Sequence, residues 1–223
     1  ASTAHPQVDY AKGTNSKFAY ASSPEQIMNY VSCHDDLCLT DKLRKSMPEA
    51  EDSVRMRVAR LAQTIVFTSQ GTPFMFCGEE IFRDKKGVHN SYCSPDSINA
   101  IDWNLKKQNR VQFDYYRNLI ALRKAHPAFR MTSAEDIARH IVFDKTEGSN
   151  LVSYSIRDHA NGDEWKEIKV VFNGNDSARE VKVAKGDWIV VAADGRIDKD
   201  GLGRAKGGTM SVAPQSALIL ARK

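Results

Sequence analysis

A histidine followed by two carboxylates, His34-Asp35-Asp36, is the pattern in this sequence that is best suited to chemistry. Imidazole and carboxylate groups transfer protons in many enzymes and also hydrogen-bond polar ligands. The His34-Asp35 dipeptide alone carries little information, because six histidines in a chain of ordinary acid content give about one such pair by chance. Its position carries more, because it comes directly after residues 28–33, which predict a short strand.

A second predicted strand is followed by acidic residues in the same way. Residues 74–77 are apolar at every position, which is typical of a parallel strand covered on both faces, and Gly78-Glu79-Glu80 comes next. Because the carboxyl ends of the strands form the active face of parallel α/β folds, the two segments predict a polar-ligand site at one rim. The alternative is that the acids cap helices and that His34 is satisfied internally.

The elements that must position these residues alternate between strand and helix as far as residue 131. Between the two strands, Ser46 and Glu49 form a capping-box pattern around Pro48 and predict a helix start. An apolar stripe follows at helical spacing, consisting of Val54, Val58, Leu61, Ala62 and Ile65. Gly71 and Pro73 predict the end of this helix. The second strand is predicted over residues 72–77. A later helix carries Val111, Tyr115, Leu119 and Leu122, and His126-Pro127 ends it. This order predicts a parallel α/β sheet.

From residue 132 the pattern changes to short strands with alternating apolar residues. Alternation is clear at Val152, Tyr154 and Ile156 and again at Ile168, Val170 and Phe172. Residues 188–191 and 217–220 predict two further strands. The sequence therefore divides into an α/β region, residues 1–131, and a small antiparallel β-sandwich, residues 132–223.

Composition excludes several classes of protein. The chain has 223 residues, of which 41% are hydrophobic and 27% charged, as in an ordinary globular protein. Its net charge of +4 is spread without a basic stripe, so nucleic acid is not an expected partner. No apolar run is long enough to predict a membrane-spanning segment. The chain starts without Met and without a signal-peptide pattern, so we expect a piece of a longer protein, and its compartment is left open.

The four cysteines predict free thiols rather than a metal centre. Cys33, Cys38, Cys77 and Cys93 contain no CxxC pair, and two disulfides would be unusual in a chain of this size. Zinc ligation by Cys33, Cys38, His89 and Cys93 would need spacings other than those present. No cofactor is predicted, and calcium binding is left open.

Three segments together resemble a known enzyme family. Residues 30–36, Tyr-Val-Ser-Cys-His-Asp-Asp, resemble the last of the four sequence signatures of the α-amylase superfamily, glycoside hydrolase family 13. Residues 71–80 are similar to the final barrel strand of that family. Residues 86–92, with Asp96, Ile98, Asn99 and residues 101–103, resemble its type I pullulanase branch, which debranches α-glucans. The resemblance is detailed over the first 130 residues, and the sandwich agrees with the family by place and pattern.

The resemblance implies a fold and a set of roles. It implies the last βα units of a (β/α)8 TIM barrel followed by a C-terminal antiparallel β-sandwich. Asp35 corresponds to the third catalytic acid of the family, which grips sugar hydroxyls and favours the distorted, oxocarbenium-like ring. His34 would hydrogen-bond the same sugar, and Asn90 and Tyr92 would line the cleft. Asp36, where relatives often carry Asn, is placed with these substrate-binding residues.

The family's nucleophile and general acid have no counterpart in this chain. A retaining glycosidase needs both, roughly 5 Å apart, and a complete barrel needs about 250 residues. We therefore expect the C-terminal piece of a hydrolase that cleaves α-1,6 linkages in pullulan, starch or glycogen, inactive alone. Its partners would be an α-glucan and the missing N-terminal part. Part of a branching enzyme or transglycosidase, or a non-catalytic carbohydrate-binding or interaction domain, are the alternatives.

Overall fold

The computed structural model describes residues 2–13 and 16–223, with helices up to residue 140 and mainly antiparallel strands thereafter. The helices are α1 Leu39–Ser46, α2 Asp52–Thr68, α3 Asp96–Asn99, α4 Leu105–Gln108, α5 Arg110–Ala125 and α6 Ala134–His140. The strands are β1 Met28–Asn29, β2 Thr72–Pro73, β3 Ile141–Phe143, β4 Leu151–Arg157, β5 Glu167–Asn173, β6 Arg179–Val183, β7 Trp188–Ala193, β8 Arg196–Ile197, β9 Gly203–Ala205, β10 Gly208–Val212 and β11 Ser216–Arg222. Among the described helices, none has the length and apolarity needed to cross a membrane.

The two predicted parallel strands are present, but they are much shorter than predicted. β1 and β2 pair in parallel through Met28 with Thr72 and Asn29 with Pro73. The predictions of strands over 28–33 and 72–77 are wrong beyond these two residues each. One further bond, from Phe74 N to Asn29 O at 2.8 Å, continues the pairing. The ladder then ends, because neither segment has another strand beside it in the described chain and Pro73 has no N–H to donate.

The predicted capping box at Ser46 is wrong, because Ser46 ends a helix instead of starting one. Residues 39–46 form α1, and the Ser46 hydroxyl donates to the Lys42 carbonyl oxygen at 2.8 Å. The guanidinium of Arg55 donates to the carbonyl oxygens of Met47 and Pro48, which holds the turn between the helices. α2 therefore begins at Asp52, with no side-chain cap.

The buried face of α2 differs from the predicted stripe, whereas that of α5 largely agrees. Ala59, Gln63, Val66 and Phe67 are buried in α2, and Ile65 is exposed. Polar Gln63 and Thr64 are buried because they bond Glu79 and Tyr115. In α5, Tyr115, Leu119 and Leu122 are buried as predicted, but Val111 is 73% exposed. The predicted end of α5 before His126-Pro127 is confirmed.

The predicted antiparallel strands after residue 150 are confirmed as β4, β5, β7 and β11. They belong to a seven-stranded sheet with the order β3-β4-β5-β11-β7-β8, and β9 pairs with β7. β6 and β10 form a second, two-stranded sheet. An apolar cluster joins the two sheets and consists of Leu151, Val171, Val181, Val183, Trp188, Val212, Leu218 and Leu220. α6, which alternation of apolar residues could not reveal, precedes the sheet with Ser133 as its N-cap.

The other face of the large sheet packs on the helices. One continuous core runs from Leu61 of α2 and Leu119 of α5 to Ile156, Ile168 and Ile219 of the sheet. The regions before and after residue 131 therefore share buried apolar surface. Because they bury apolar surface together, each region stabilises the other.

A buried His–Asp pair fixes the junction between these regions. His126 Nδ1 lies 3.0 Å from Asp163 Oδ1, and the backbone N–H groups of Ala128 and Trp165 also donate to the Asp163 carboxylate. The His126 ring stacks on Trp165 with 3.4 Å between centroids. Burial by itself would raise the pKa of Asp163, but the hydrogen bonds from His126 and the two N–H groups outweigh it and hold that pKa below its ordinary value.

We expect Asp163→Asn to lower the free energy of unfolding by about 3 kcal/mol, because it leaves buried donors without a charged acceptor. Urea denaturation measures this change. Asp200→Asn is the matched control, because Asp200 is exposed and pairs only with the exposed Lys199. It should leave the midpoint almost unchanged.

The same measurement has a defined pH dependence. Because the pKa of Asp163 is lowered on folding, its stabilisation is present above the ordinary carboxyl pKa of about 3.9 and is lost as pH falls through the lowered value. The difference between the wild-type chain and Asp163→Asn should therefore shrink below about pH 4. A difference that stays constant down to lower pH would contradict this assignment.

Candidate active site

The loop after β1 presents His34, Asp35 and Asp36 on the surface. His34 Nε2 lies 3.4 Å from Asp35 Oδ1, and the two side chains are 78% and 69% exposed. Asp36 has φ of 60°, in the left-handed region that Asp and Asn tolerate better than most residues. The Asp36 side chain contacts a second loop, residues 82–95.

His89 of the second loop makes the contact with Asp36 of the loop after β1. Its Nε2 lies 3.2 Å from Asp36 Oδ1. Asn90 follows His89 directly and is exposed, and Tyr92 is 82% exposed. The structure thus joins Asp36 to the loop that carries both predicted cleft residues, although neither residue has a hydrogen bond to residues 34–36 within the described chain.

Asp41 anchors the second loop from the first turn of α1. Its Oδ2 accepts the Lys85 N–H at 2.7 Å, and its Oδ1 accepts the Gly87 N–H at 3.0 Å. Buried Lys85 in turn donates from Nζ to Ser91 Oγ at 2.6 Å. The sequence analysis assigned no role to Asp41. An acid in a helical first turn was the available signal, but α1 itself was not predicted.

Buried Glu79 anchors the first loop, residues 33–38, from the interior of the protein. Its side chain is only 4% exposed and accepts hydrogen bonds from Ser32 Oγ and Gln63 Nε2. Burial raises the pKa of the Glu79 carboxyl to about 7, even though both hydrogen bonds act in the opposite direction. The expectation that Glu79 stands on the ligand-facing rim is therefore wrong, because the chain turns it inward at a left-handed Gly78.

The zinc ligands considered from the sequence are not assembled. Cys38 is buried and its thiol donates to Asp41 Oδ2 at 3.1 Å, whereas Cys93 is exposed, and all four thiols are free. Burial raises the pKa of the Cys38 thiol to about 11. Over residues 2–13 and 16–223, the group whose donor atoms are close enough to hold a metal ion is Cys33, His34 and Asp35, within 4.8 Å of one another.

Two concave surfaces of the chain lack His34 and Asp35 among their lining residues. A pocket of about 420 Å³ lies between α1 and the second loop and is lined by Leu37, Asp41, Arg44, Lys45, Lys86, Gly87 and His89. An apolar groove of about 680 Å³ lies elsewhere, between α2 and the large sheet. His34 and Asp35 therefore stand on an open surface, where their side chains can hydrogen-bond a polar ligand.

The chain is similar to known proteins in both sequence and structure. Residues 137–196 match the family described as "Pullulanase, all-beta domain". The chain is 43% identical over 157 residues to the pullulanase of Bacillus subtilis (strain 168), which covers 70% of this chain and 22% of that protein. The chain is pullulanase-like.

Solved pullulanase structures extend the similarity to nearly the whole fold. The pullulanase from Bacillus acidopullulyticus superposes with a TM-score of 0.87 and 40% identity, over 90% of this chain and 25% of that one. A pullulanase from Anoxybacillus sp. LM18-11, complexed with maltotetraose, superposes with a TM-score of 0.83 and 33% identity, over 91% and 29%. The pullulanase-like chain spans about a quarter of the length of the relatives it matches.

We expect Asp41→Asn to loosen the second loop, because an amide can accept from only one of the two N–H groups that Asp41 now holds. Leaving a buried donor unpaired costs about 1–3 kcal/mol, so hydrogen exchange at Lys85 or Gly87 should accelerate about tenfold or more. The matched control is Asp200→Asn, which alters an exposed carboxylate outside both loops and should not change exchange at these two amides. Equal protection in Asp41→Asn and the wild-type chain would contradict the anchoring role.

Proposed function

We propose that this chain is the C-terminal part of a retaining glycoside hydrolase that cleaves α-1,6 branch linkages in pullulan, starch or glycogen. The observation that carries the proposal is the exposed His34–Asp35 pair beyond the end of β1, in a chain similar to pullulanases over nine-tenths of its fold. The bound maltotetraose of the Anoxybacillus structure supports an α-glucan as the ligand. The spread charge of +4 gives no support to nucleic acid.

Residues 1–131 would belong to the catalytic (β/α)8 barrel and residues 132–223 to a C-terminal β-sandwich. The parallel contact of β1 with β2, with α2 between them along the chain, supports a βα arrangement. Each of these strands is two residues long and lacks a second neighbour in the described chain. Preceding strands of a longer parent would supply the missing pairing and lengthen both strands.

Asp35 would act as a carboxylate that stabilises the transition state, with His34 binding the same sugar ring. A charged carboxylate that hydrogen-bonds ring hydroxyls binds the distorted, oxocarbenium-like ring more tightly than the relaxed substrate. The nucleophile and the general acid would come from the preceding part of the parent. Asn90 and Tyr92, exposed on the adjoining loop, would line the cleft, and Asp36 would hold that loop through His89.

The isolated chain should release no reducing sugar from pullulan or starch, because it supplies one of the three carboxylates that the mechanism uses. A reducing-sugar assay on purified chain measures this, with the chain carrying Asp35→Asn as the control for contaminating enzyme. Activity that disappears in that variant would show that the chain is catalytic alone and would overturn the division of roles.

In the full-length parent, we expect Asp35→Asn to lower kcat about a hundredfold or more with a much smaller change in KM. The reason is that the lost interaction strengthens mainly at the distorted ring and is worth several kcal/mol there. Asp36→Asn is the matched control, since Asn also tolerates the left-handed turn and should cost far less. Equal losses in the two variants would contradict the assignment of Asp35, and full activity in both would contradict the proposed function.

A further inference from the structure

Ser32 connects both ends of the loop that carries His34 and Asp35. Its Oγ accepts the backbone N–H of Leu39, the first residue of α1, at 3.1 Å. The same hydroxyl donates to Glu79 Oε1. The start of the loop is thereby bonded to its end, and this closure is itself attached to a buried carboxylate. Six residues lie between Ser32 and Leu39. The central ones, His34, Asp35 and Asp36, are exposed, and within the described chain no buried side chain holds them as Glu79 holds Ser32.

Gln63 completes the surroundings of the Glu79 carboxylate and leaves one atom unused. Its Nε2 donates to Glu79 Oε2, whereas its Oε1 is buried without a hydrogen-bond partner in the part of the chain that the structure describes. A rotated Gln63 amide would present this oxygen to Glu79. The site can therefore accept from a proton on Glu79 as well as donate to the ionised carboxylate.

We propose that Glu79 is a positioning residue, which acts through Ser32 to set the placement of His34 and Asp35 according to its own protonation state. The ionised carboxylate makes a charge-assisted hydrogen bond to the Ser32 hydroxyl, and such bonds are roughly twice as strong as neutral ones. Protonation weakens that bond and favours rotation of Gln63. The hydrogen bond from Leu39 N–H to Ser32 Oγ then weakens, and the loop that carries His34 and Asp35 changes its position.

The groups around Glu79 allow this proton to be exchanged near neutral pH. Burial raises the pKa of Glu79 to about 7, with Glu80 adding to the increase, while the bonds from Ser32 and Gln63 and the charge of Lys42 lower it. Tyr116 of α5 also faces the carboxylate and stays neutral, because burial raises its pKa well above the ordinary value. Because the pKa of Glu79 is raised on folding, its contribution to stability is complete below the ordinary carboxyl pKa and is lost as pH rises through about 7.

NMR titration of the chain tests the proposal without any enzyme activity. The backbone amide of Leu39, which donates to Ser32 Oγ, should shift with a midpoint near pH 7 in the wild-type chain, and the shift should be absent in Glu79→Gln. That variant is isosteric and can fold, since a rotated Gln63 would accept from its amide. Glu80→Gln is the matched control, because Glu80 Oε2 contacts the Gly78 N–H instead of Ser32, and it should keep the titration.

Two further variants separate positioning from simple support. Ser32→Ala should abolish the titration of the Leu39 amide and leave the Glu79 carboxyl titrating. Glu79→Ala should accelerate Leu39 hydrogen exchange about tenfold or more, and Glu79→Gln should restore most of the protection. A Leu39 titration that persists in Glu79→Gln would overturn the proposal, as would a wild-type Leu39 amide that does not titrate.

The consequence for catalysis rests on the proposed function, because only a sugar-hydrolysing parent would use the placement of Asp35. Failure of the NMR titration would remove the role of Glu79 and leave the assignment of Asp35 untouched. Failure of the activity measurements on Asp35 would do the reverse.

Discussion

The antiparallel sheet supplies the apolar surface on which the helices of this chain depend. α2 and α5 each carry a face that must be buried, and two strands of two residues cannot cover them. The core that runs from Leu61 and Leu119 to Ile168 and Ile219 does so. The His126–Asp163 pair fixes the junction beside this shared core.

Buried carboxylates determine the geometry of the exposed ones. Asp41 and Glu79 are nearly inaccessible, yet each ends next to a loop that carries exposed polar residues. Asp41 binds two backbone N–H groups, and Glu79 binds two side chains. A buried acceptor with fixed partners orients a loop more firmly than surface ion pairs, whose net worth is small. The surface contacts of His34 with Asp35 and of His89 with Asp36 only adjust an arrangement that the buried Asp41 and Glu79 carboxylates hold in place.

The sequence predicted the elements whose signals are long or strongly alternating. α5 and the strands β4, β5, β7 and β11 follow directly from apolar spacing, because local burial on one face determines them. The lengths of β1 and β2 could not be read in this way, since strand pairing depends on neighbours elsewhere in a fold. α1 was missed because it is only eight residues long and its apolar periodicity is short.

The candidate site likewise contains residues that the sequence indicated and contacts that it did not. His34 and Asp35 were proposed from residue type and position, and Asn90 and Tyr92 from the family resemblance; all four lie on the two loops, and their roles stay predictions. The inward direction of Glu79 and the anchoring role of Asp41 depend on contacts across 47 and 44 positions of sequence, with Ser32 and Lys85 respectively. No local pattern encodes such contacts. Gln63 lies outside the apolar stripe predicted for α2, so its burial beside Glu79 was seen only in the structure.

The left-handed backbone at Asp36 has a consequence for how this region can change during evolution. Glycine, asparagine and aspartate fit that conformation with little strain, so the backbone limits the choice of residue before any ligand does. An exchange between Asp and Asn there would preserve the turn while removing the charge that faces His89. Asp and Asn could therefore replace one another at this position without altering the shape of the loop.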